Sequence, residues 1–205
     1  MKASTLVDYW TSEVSNKKKK GSTIGLITNI LRRTRKNNTL RYLFNFRLAQ
    51  YFYSKNSILR AYAKRMERNL NLKYGVDISI ECKIERGLRI GHLPGIVISS
   101  HAAIGANCFI RQNTTIGIKT MGLDSYHIEI GDNVSIGAHT CIISDDLVIG
   151  DNVTIGAMSF VNKSIAAGST FLTPVNLNRD LTHADSMGLG GSADYFRWDN
   201  DAVFR

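Results

Sequence analysis

Several features are scarce or missing in this chain of 205 residues, and each absence argues against a class of protein. The three cysteines (Cys82, Cys108 and Cys141) never form a Cys-x-x-Cys pair, which disfavours disulfide and metal-binding roles and indicates a reducing cytoplasm. No apolar run reaches eighteen residues, so we expect no membrane-spanning helix. Polar residues interrupt the first segment, so we expect no signal peptide. No Gly-x-Ser-x-Gly elbow is present, which disfavours covalent catalysis through serine.

Acidic residues are also scarce in the first third of the chain. Residues 1–74 contain 17 Lys/Arg and 3 Asp/Glu, whereas residues 75–205 contain 9 Lys/Arg and 14 Asp/Glu. Apolar residues in the basic part recur at helical spacing, which predicts helices near 23–35, 39–54 and 57–72. We therefore predict a basic helical region at 1–74, a central domain at 75–178 and an irregular tail at 179–205.

The basic region 1–74 has three interpretations. The favoured one is a helical cap that covers the open end of the central domain. The second is a cap that also contacts anionic lipid, peripherally at the inner face of the cell membrane. Nucleic-acid binding is disfavoured because the region carries no nucleic-acid-binding motif.

The central domain has an aliphatic residue at almost every sixth position. This spacing does not fit an amphipathic helix, and it predicts a solenoid with one inward aliphatic side chain on each of three faces. Gly or Asn at the corners would accept a positive φ. The series is Ile78, Ile84, Ile90, Ile98, Ile104, Ile110, Ile116, Ile130, Ile136, Ile142, Ile149, Ile155 and Val161.

The repeat is interrupted at three places, and insertions in a solenoid become loops, often on its functional face. The interruptions lie at 92–95, 117–129 and 144–146. The first contains His92 and the second contains His127. These two histidines are therefore the candidate functional residues.

The motifs Gly75-Val76-Asp77-Ile78, Ile90-Gly91-His92 and Tyr126-His127, with the Ile-Gly-Ala turns, resemble a known family. The segment is similar to hexapeptide-repeat acyltransferases of the serine acetyltransferase-like group, closest to its capsule- and exopolysaccharide-modifying O-acetyltransferases. The resemblance implies a mainly β protein, a left-handed parallel β-helix with an N-terminal α-helical region. It also implies that Asp77, His92 and His127 are catalytic, because their separations of fifteen and thirty-five residues match the family's Asp and two His.

The chemistry of these residue types agrees with acyl transfer. Imidazole has the pKa that a general base needs at neutral pH, and a carboxylate on its second nitrogen fixes the tautomer. We therefore expect His92 to act as the base and Asp77 to orient it.

The resemblance further implies acetyl-CoA as the donor, a homotrimer with active sites between subunits, and no metal. The residues that it places along the CoA groove are Gly117, Ile118, Lys119, Ala138, Ala157 and Lys163.

Two departures from the family bear on the acceptor. Gly91 replaces an Asp and Tyr126 replaces an Arg, and these charged residues help to hold an amino acid in serine acetyltransferases. Because Tyr126 suits a neutral polyhydroxyl ligand, we expect acetylation of a sugar hydroxyl in a bacterial capsule, exopolysaccharide or O-antigen. The alternatives are serine O-acetylation, N-acetylation of an amino sugar nucleotide, and a non-enzymatic scaffold. A γ-type carbonic anhydrase is disfavoured because no two histidines are five residues apart.

Overall fold

A computed structural model of the chain describes residues 2–15 and 23–173. The predicted tail at 179–205 and the lysine run at 17–20 lie outside these residues. Described residues up to Thr173 form one compact unit. Within them, no helix combines the length and hydrophobicity needed to cross a bilayer.

In residues 2–15 and 23–74, four helices precede the repeat, and Asn side chains begin two of them. Asn37 accepts a hydrogen bond from the Leu40 amide, and Asn56 accepts one from the Leu59 amide, as N-caps do. Gly75 follows the last helix, and its φ of 63° is left-handed. The helices are α1 (Ala3–Glu13), α2 (Thr23–Lys36), α3 (Asn38–Tyr53) and α4 (Ser57–Tyr74). The last three agree with the predicted ranges, whereas α1 was not predicted.

Fourteen short strands follow within residues 76–171, and all of their pairings are parallel. Sheet 1 contains β1 (Val76–Ile78), β4 (Ile96–Ile98), β7 (Thr115–Gly117), β10 (Cys141–Ile143) and β13 (Phe160–Val161). Sheet 2 contains β2 (Lys83–Ile84), β5 (Ala102–Ile104), β8 (His127–Ile130) and β11 (Asp146–Ile149). Sheet 3 contains β3 (Arg89–Ile90), β6 (Phe109–Ile110), β9 (Ser135–Ile136), β12 (Thr154–Ile155) and β14 (Thr170–Phe171).

The six-residue series forms the core of this solenoid. Equivalent aliphatic residues pair across successive coils, as in Ile78 with Ile98 and Ile98 with Ile116, and each is almost fully buried. Stacking buries the apolar face that a single coil could not bury alone. The predicted parallel β-helix behind a helical region is therefore confirmed.

The corners of the solenoid have left-handed backbone, as the short turns require. Four asparagines have φ between 56° and 60°, the conformation that Asn tolerates better than most residues. His139 and Met158 have the same conformation without that advantage. The residues of this set, which are stacked along two corners, are Asn107, Asn113, Asn133, His139, Asn152 and Met158.

A buried ion pair attaches the helices to the first coil. Arg47 on α3 lies 2.6 Å from Glu13 on α1, and both side chains are almost completely buried. Arg47 also donates to the carbonyl oxygens of Ile84 and Glu85, each at 2.8 Å, while Glu13 accepts from the Leu88 amide. Because these partners belong to the first coil, the helical region covers that end of the solenoid, as the cap interpretation requires.

Candidate active site

Most of the predicted site residues lie along the two edges of sheet 1. At the entry edge the chain arrives from sheet 3, and at the exit edge it leaves for sheet 2. The entry edge contains the loop 92–95 and the turns 112–113, 138–139 and 157–158. The exit edge contains the loop 118–126, the turn 144–145 and residues 162–164. His92, Ala138 and Ala157 therefore lie at the entry edge, and Lys119, His127 and Lys163 lie at the exit edge.

Backbone hydrogen bonds hold the loop that carries His92. The Gly95 amide donates to the Gly75 carbonyl at 2.8 Å, and the Asn113 amide donates to the Pro94 carbonyl at 3.0 Å. His92 itself is exposed, whereas its neighbour Leu93 is buried. The loop is thus fixed from both sides while the imidazole remains accessible to a ligand.

The turns below this loop stack closely. The Met158 amide donates to the Ala138 carbonyl at 2.8 Å, so the turns that carry Ala138 and Ala157 are adjacent. A Cβ atom added at Gly137 would lie 2.4 Å from the Ala157 nitrogen, which explains why a glycine precedes this turn.

Asp77 is exposed on the first strand of sheet 1. With Gly117 and Ile118 it lines a groove of about 390 Å³ on the outer surface of the sheet. This groove unites one predicted catalytic residue with two predicted cofactor-binding residues. Asp77 lies on β1, and His92 lies in the loop between β3 and β4. Among the described residues, no hydrogen bond joins the two.

Asp145 holds the start and the end of the long exit-edge loop. Its Oδ1 atom accepts from the Lys119 amide at 3.0 Å and from the Thr120 amide at 2.9 Å, and its carbonyl accepts from the His127 amide. The Thr120 amide, above all, lowers the pKa of the Asp145 carboxyl. The loop is therefore anchored to the next coil at both ends.

His127 lies between two carboxylates. Its Nδ1 atom is 3.0 Å from Oδ1 of Asp146, and its Nε2 atom is 3.3 Å from Oε2 of Glu129. Carboxylates only accept hydrogen bonds, so the ring satisfies both contacts only as an imidazolium. Asp146 first and Glu129 second raise the pKa of His127. This arrangement favours a hydrogen-bond donor or cation over a general base.

The hydroxyl of Tyr126 makes hydrogen bonds within its own loop. Its hydroxyl donates to the Thr120 carbonyl at 2.9 Å and accepts from the Leu123 amide at 3.0 Å. Its ring lies 4.4 Å from the ring of His101, measured between centroids. The hydroxyl that was expected to bind a sugar is thus already paired.

Sequence reasoning assigned no function to Asp145 and Asp146. The only available signal was the one-residue interruption of the repeat at 144–146, which revealed a loop but not its contacts. Within residues 2–15 and 23–173, no group of three His, Cys, Asp or Glu residues is arranged to hold a metal ion.

No protein-family model matches the chain. The chain is 32% identical over 99 residues to chloroplastic serine acetyltransferase 1 of Arabidopsis thaliana, covering 48% of this chain and 31% of that protein. It is 29% identical over 130 residues to the serine acetyltransferase of Salmonella typhimurium, covering 63% of this chain and 43% of the relative. The chain thus spans less than half the length of these curated relatives.

Two solved structures share the fold. Soybean serine acetyltransferase complexed with serine has a TM-score of 0.63 at 22% identity, covering 83% of this chain and 66% of that one. The serine acetyltransferase of Neisseria gonorrhoeae in complex with serine also has a TM-score of 0.63 at 22% identity, covering 85% of this chain and 67% of that one. At this identity the likeness establishes the β-helix fold alone.

These relatives confirm the resemblance to serine acetyltransferase-type hexapeptide-repeat proteins. The prediction of a sugar acceptor in a capsule, exopolysaccharide or O-antigen is wrong, since the relatives are serine acetyltransferases. That prediction relied on the missing charges at Gly91 and Tyr126, and the Tyr126 hydroxyl is already paired within its loop. The closer likeness to the polysaccharide-modifying branch has no support among these proteins.

Proposed function

We propose that this protein is an acetyl-CoA-dependent serine O-acetyltransferase. The observation that carries the proposal is the similarity of the solenoid to serine acetyltransferases, in a chain with an accessible His92 on a loop fixed at the edge of sheet 1. Acetyl-CoA as donor and serine as acceptor are both proposed for this chain, which spans less than half of those relatives.

The proposed reaction is a direct transfer. Neutral His92 removes the proton of the serine hydroxyl as the oxygen attacks the thioester carbonyl of acetyl-CoA. The carbon–sulfur bond breaks, an O-acetyl ester forms, and the proton held by His92 passes to the departing CoA thiolate. Asp77 is proposed to orient the imidazole, which requires the two side chains to come together, because no hydrogen bond joins them among the described residues.

A protonated His127 would have a different role. Its two carboxylate partners keep a positive charge at the exit edge, where it can donate to the oxygen of the attacked thioester or of the substrate. In this mechanism His92 alone removes the proton of the serine hydroxyl.

The placement of the residues supports an active site between subunits. The entry edge carries His92, Ala138 and Ala157, whereas the exit edge carries Lys119, His127 and Lys163. One chain separates these two sets by the width of sheet 1. In a cyclic homotrimer, the entry edge of one subunit would face the exit edge of the next and unite them.

CoA is proposed to lie in that groove. Gly117 and Ile118 already line the open surface of sheet 1, and the closely stacked turns at Ala138 and Ala157 allow a ligand to approach the backbone. The exposed Lys119 and Lys163 are proposed to meet the CoA phosphates. We further propose that the reaction takes place in the cytoplasm, with peripheral contact at the inner face of the membrane.

The test is acetyl-CoA turnover by the purified full-length chain. We expect CoA thiol release that depends on L-serine and saturates with it, together with a product that has the mass of O-acetylserine. The His92→Ala variant is the matched control. Binding of acetyl-CoA without any L-serine-dependent release would contradict the proposed acceptor, and absence of acetyl-CoA binding would contradict the proposed donor.

A further inference from the structure

Helix α2 has an apolar side that no described residue covers. Its inner side packs on the protein, where Asn29, Ile30 and Thr34 are each exposed by no more than 8%. The opposite side carries exposed aliphatic residues, since Ile24 is 74% exposed, Ile27 is 51% exposed and Leu31 is 47% exposed. Their spacing of three and four residues places them on one face, which is an unusual cluster of large aliphatic side chains for a surface helix.

The same helix ends in a basic cluster. Arg32, Arg33 and Lys36 line a recess of about 410 Å³ together with Asn37 and Leu40. In the part of the chain that the structure describes, none of these three cations has an ion-pair partner.

Arg41 pairs with the backbone carbonyl groups at the C-terminal end of α2. Arg41 donates through Nε to the Thr34 carbonyl and through Nη2 to the Arg35 carbonyl, each at 2.8 Å. These bonds satisfy carbonyl groups that the end of a helix leaves unpaired. The cations of the recess are therefore available to an external anion.

We propose that this face of α2 is a docking surface for an anionic lipid bilayer. The aliphatic side chains of Ile24, Ile27 and Leu31 would enter the boundary between headgroups and acyl chains, and Arg32 and Lys36 would bind lipid phosphates. An apolar stripe beside a basic cluster is the combination that such an interfacial helix requires.

Charge complementarity argues against the helical region of a second copy of this chain as the occupant. Residues 1–74 contain only three acidic residues. Glu13 is buried against Arg47, Glu67 pairs with Lys64, and Asp8 already has an interaction. The helical region of another copy thus offers the basic cluster no free acidic partner. Nucleic acid would supply phosphates but no apolar phase for the three aliphatic residues.

The surface can be tested with the full-length protein and vesicles of phosphatidylcholine, with or without about 30% phosphatidylglycerol. We expect flotation with the anionic vesicles at low salt and its loss at high salt. Each Lys or Arg contributes about a fivefold factor in affinity at such a surface, so Arg32→Gln with Lys36→Gln should weaken binding by roughly 25-fold. The Ile27→Ser, Leu31→Ser double variant should also release the protein.

Helix α4 provides matched controls. Arg65→Gln with Arg68→Gln removes the same charge, and Ile58→Ser with Leu72→Ser removes aliphatic residues that are each 79% exposed. These variants should bind within about twofold of the wild-type chain if docking is specific to α2. Equal losses for the α4 variants, or no binding at low salt, would overturn the proposal.

Two further outcomes would also reject it. If inorganic phosphate displaces the protein while Ile27→Ser, Leu31→Ser still binds normally, the recess is a phosphate site and not a lipid-docking surface. If the α2 variants change the solution mass but not flotation, the face is an interface between copies. Turnover of soluble serine should be unchanged in all of these variants, so failure here is distinguishable from failure of the proposed function.

Discussion

The Nδ1 atom of His127 lies 3.0 Å from Oδ1 of Asp146, a residue on the next coil of the solenoid. The second ring nitrogen lies 3.3 Å from Glu129 on the same strand. Together these carboxylates raise the pKa of His127 and hold the ring that sequence assigned to catalysis as a hydrogen-bond donor between two acceptors.

The pKa of His127 should be measurably above that of an ordinary histidine. Asp146→Asn should lower this pKa, because it removes the principal cause of the shift, and Glu129→Gln should lower it less. NMR titration of the imidazole resonances gives the value directly. Asp124→Asn, in the same loop, is the matched control and should leave the titration unchanged. An His127 pKa that is insensitive to Asp146 would show that the contact is absent in solution.

The same pair predicts how stability depends on pH. The folded chain holds the His127 proton more tightly than the unfolded chain, so this contribution to the free energy of unfolding is complete below the ordinary pKa of about 6.5. It is lost as pH rises through the higher folded pKa. The stability difference between wild type and His127→Gln should therefore shrink from pH 6 to pH 9 in urea denaturation. A constant difference across that interval would count against the pairing.

Burial of Arg47 predicts a large cost for breaking its ion pair. Glu13→Gln leaves the guanidinium without its counter-charge and should reduce the free energy of unfolding by about 3–5 kcal/mol. Glu81→Gln is the comparison, because it removes the exposed partner of Lys64 and should cost no more than about 1 kcal/mol. Chemical denaturation measures both variants. Similar costs for the two would mean that the buried pair does not hold the helices on the solenoid.

Much of the fold was predictable because it depends on local periodicity. The series from Ile78 to Val161 specified the core, since every coil repeats the same burial, and helical spacing located α2, α3 and α4 within a few residues. Helix α1 was not predicted, and its partner is α3, which lies about thirty residues further along the chain and cannot be identified from the local sequence. The stacking of Trp10 on Phe44 is an example, with ring centroids 4.4 Å apart.

The candidate site was less predictable because its contacts join distant segments. His92 and His127 were identified by their insertions, but the charge of His127 depends on Asp146, nineteen residues further along. The acceptor was mispredicted because the absence of the family's Asp and Arg at Gly91 and Tyr126 argued against serine, whereas the relatives are serine acetyltransferases. Only the structure shows that Thr120 and Leu123 occupy the Tyr126 hydroxyl.

Gly91 offers a test of how serine is bound. A serine ligand needs partners for both its charges, and the resemblance places an Asp at this position of the sequence. A Cβ atom at Gly91 would lie no closer than 3.6 Å to its neighbours, so Gly91→Asp should fold normally. We expect a lower KM for serine with kcat changed less than twofold, whereas Gly91→Asn should give a smaller gain. An unchanged KM in both variants would place the serine ammonium elsewhere.

Catalysis should depend on both edges of sheet 1, contributed by different subunits. His92→Ala should reduce turnover by roughly 10²–10⁴-fold, the usual contribution of a general base, and Asp77→Asn should reduce it less because the base remains. His127→Ala should also be impaired, through the loss of the exit-edge cation.

Within one chain these histidines lie at opposite edges of the sheet, so a trimer mixed from His92→Ala and His127→Ala chains contains some intact sites. Co-refolding the two inactive variants should therefore recover part of the activity, and mixing His92→Ala with Asp77→Asn should recover much less because Asp77 is proposed to orient His92 of the same chain. Loss of complementation in a mixture that light scattering shows to be trimeric would mean that each chain carries a complete site.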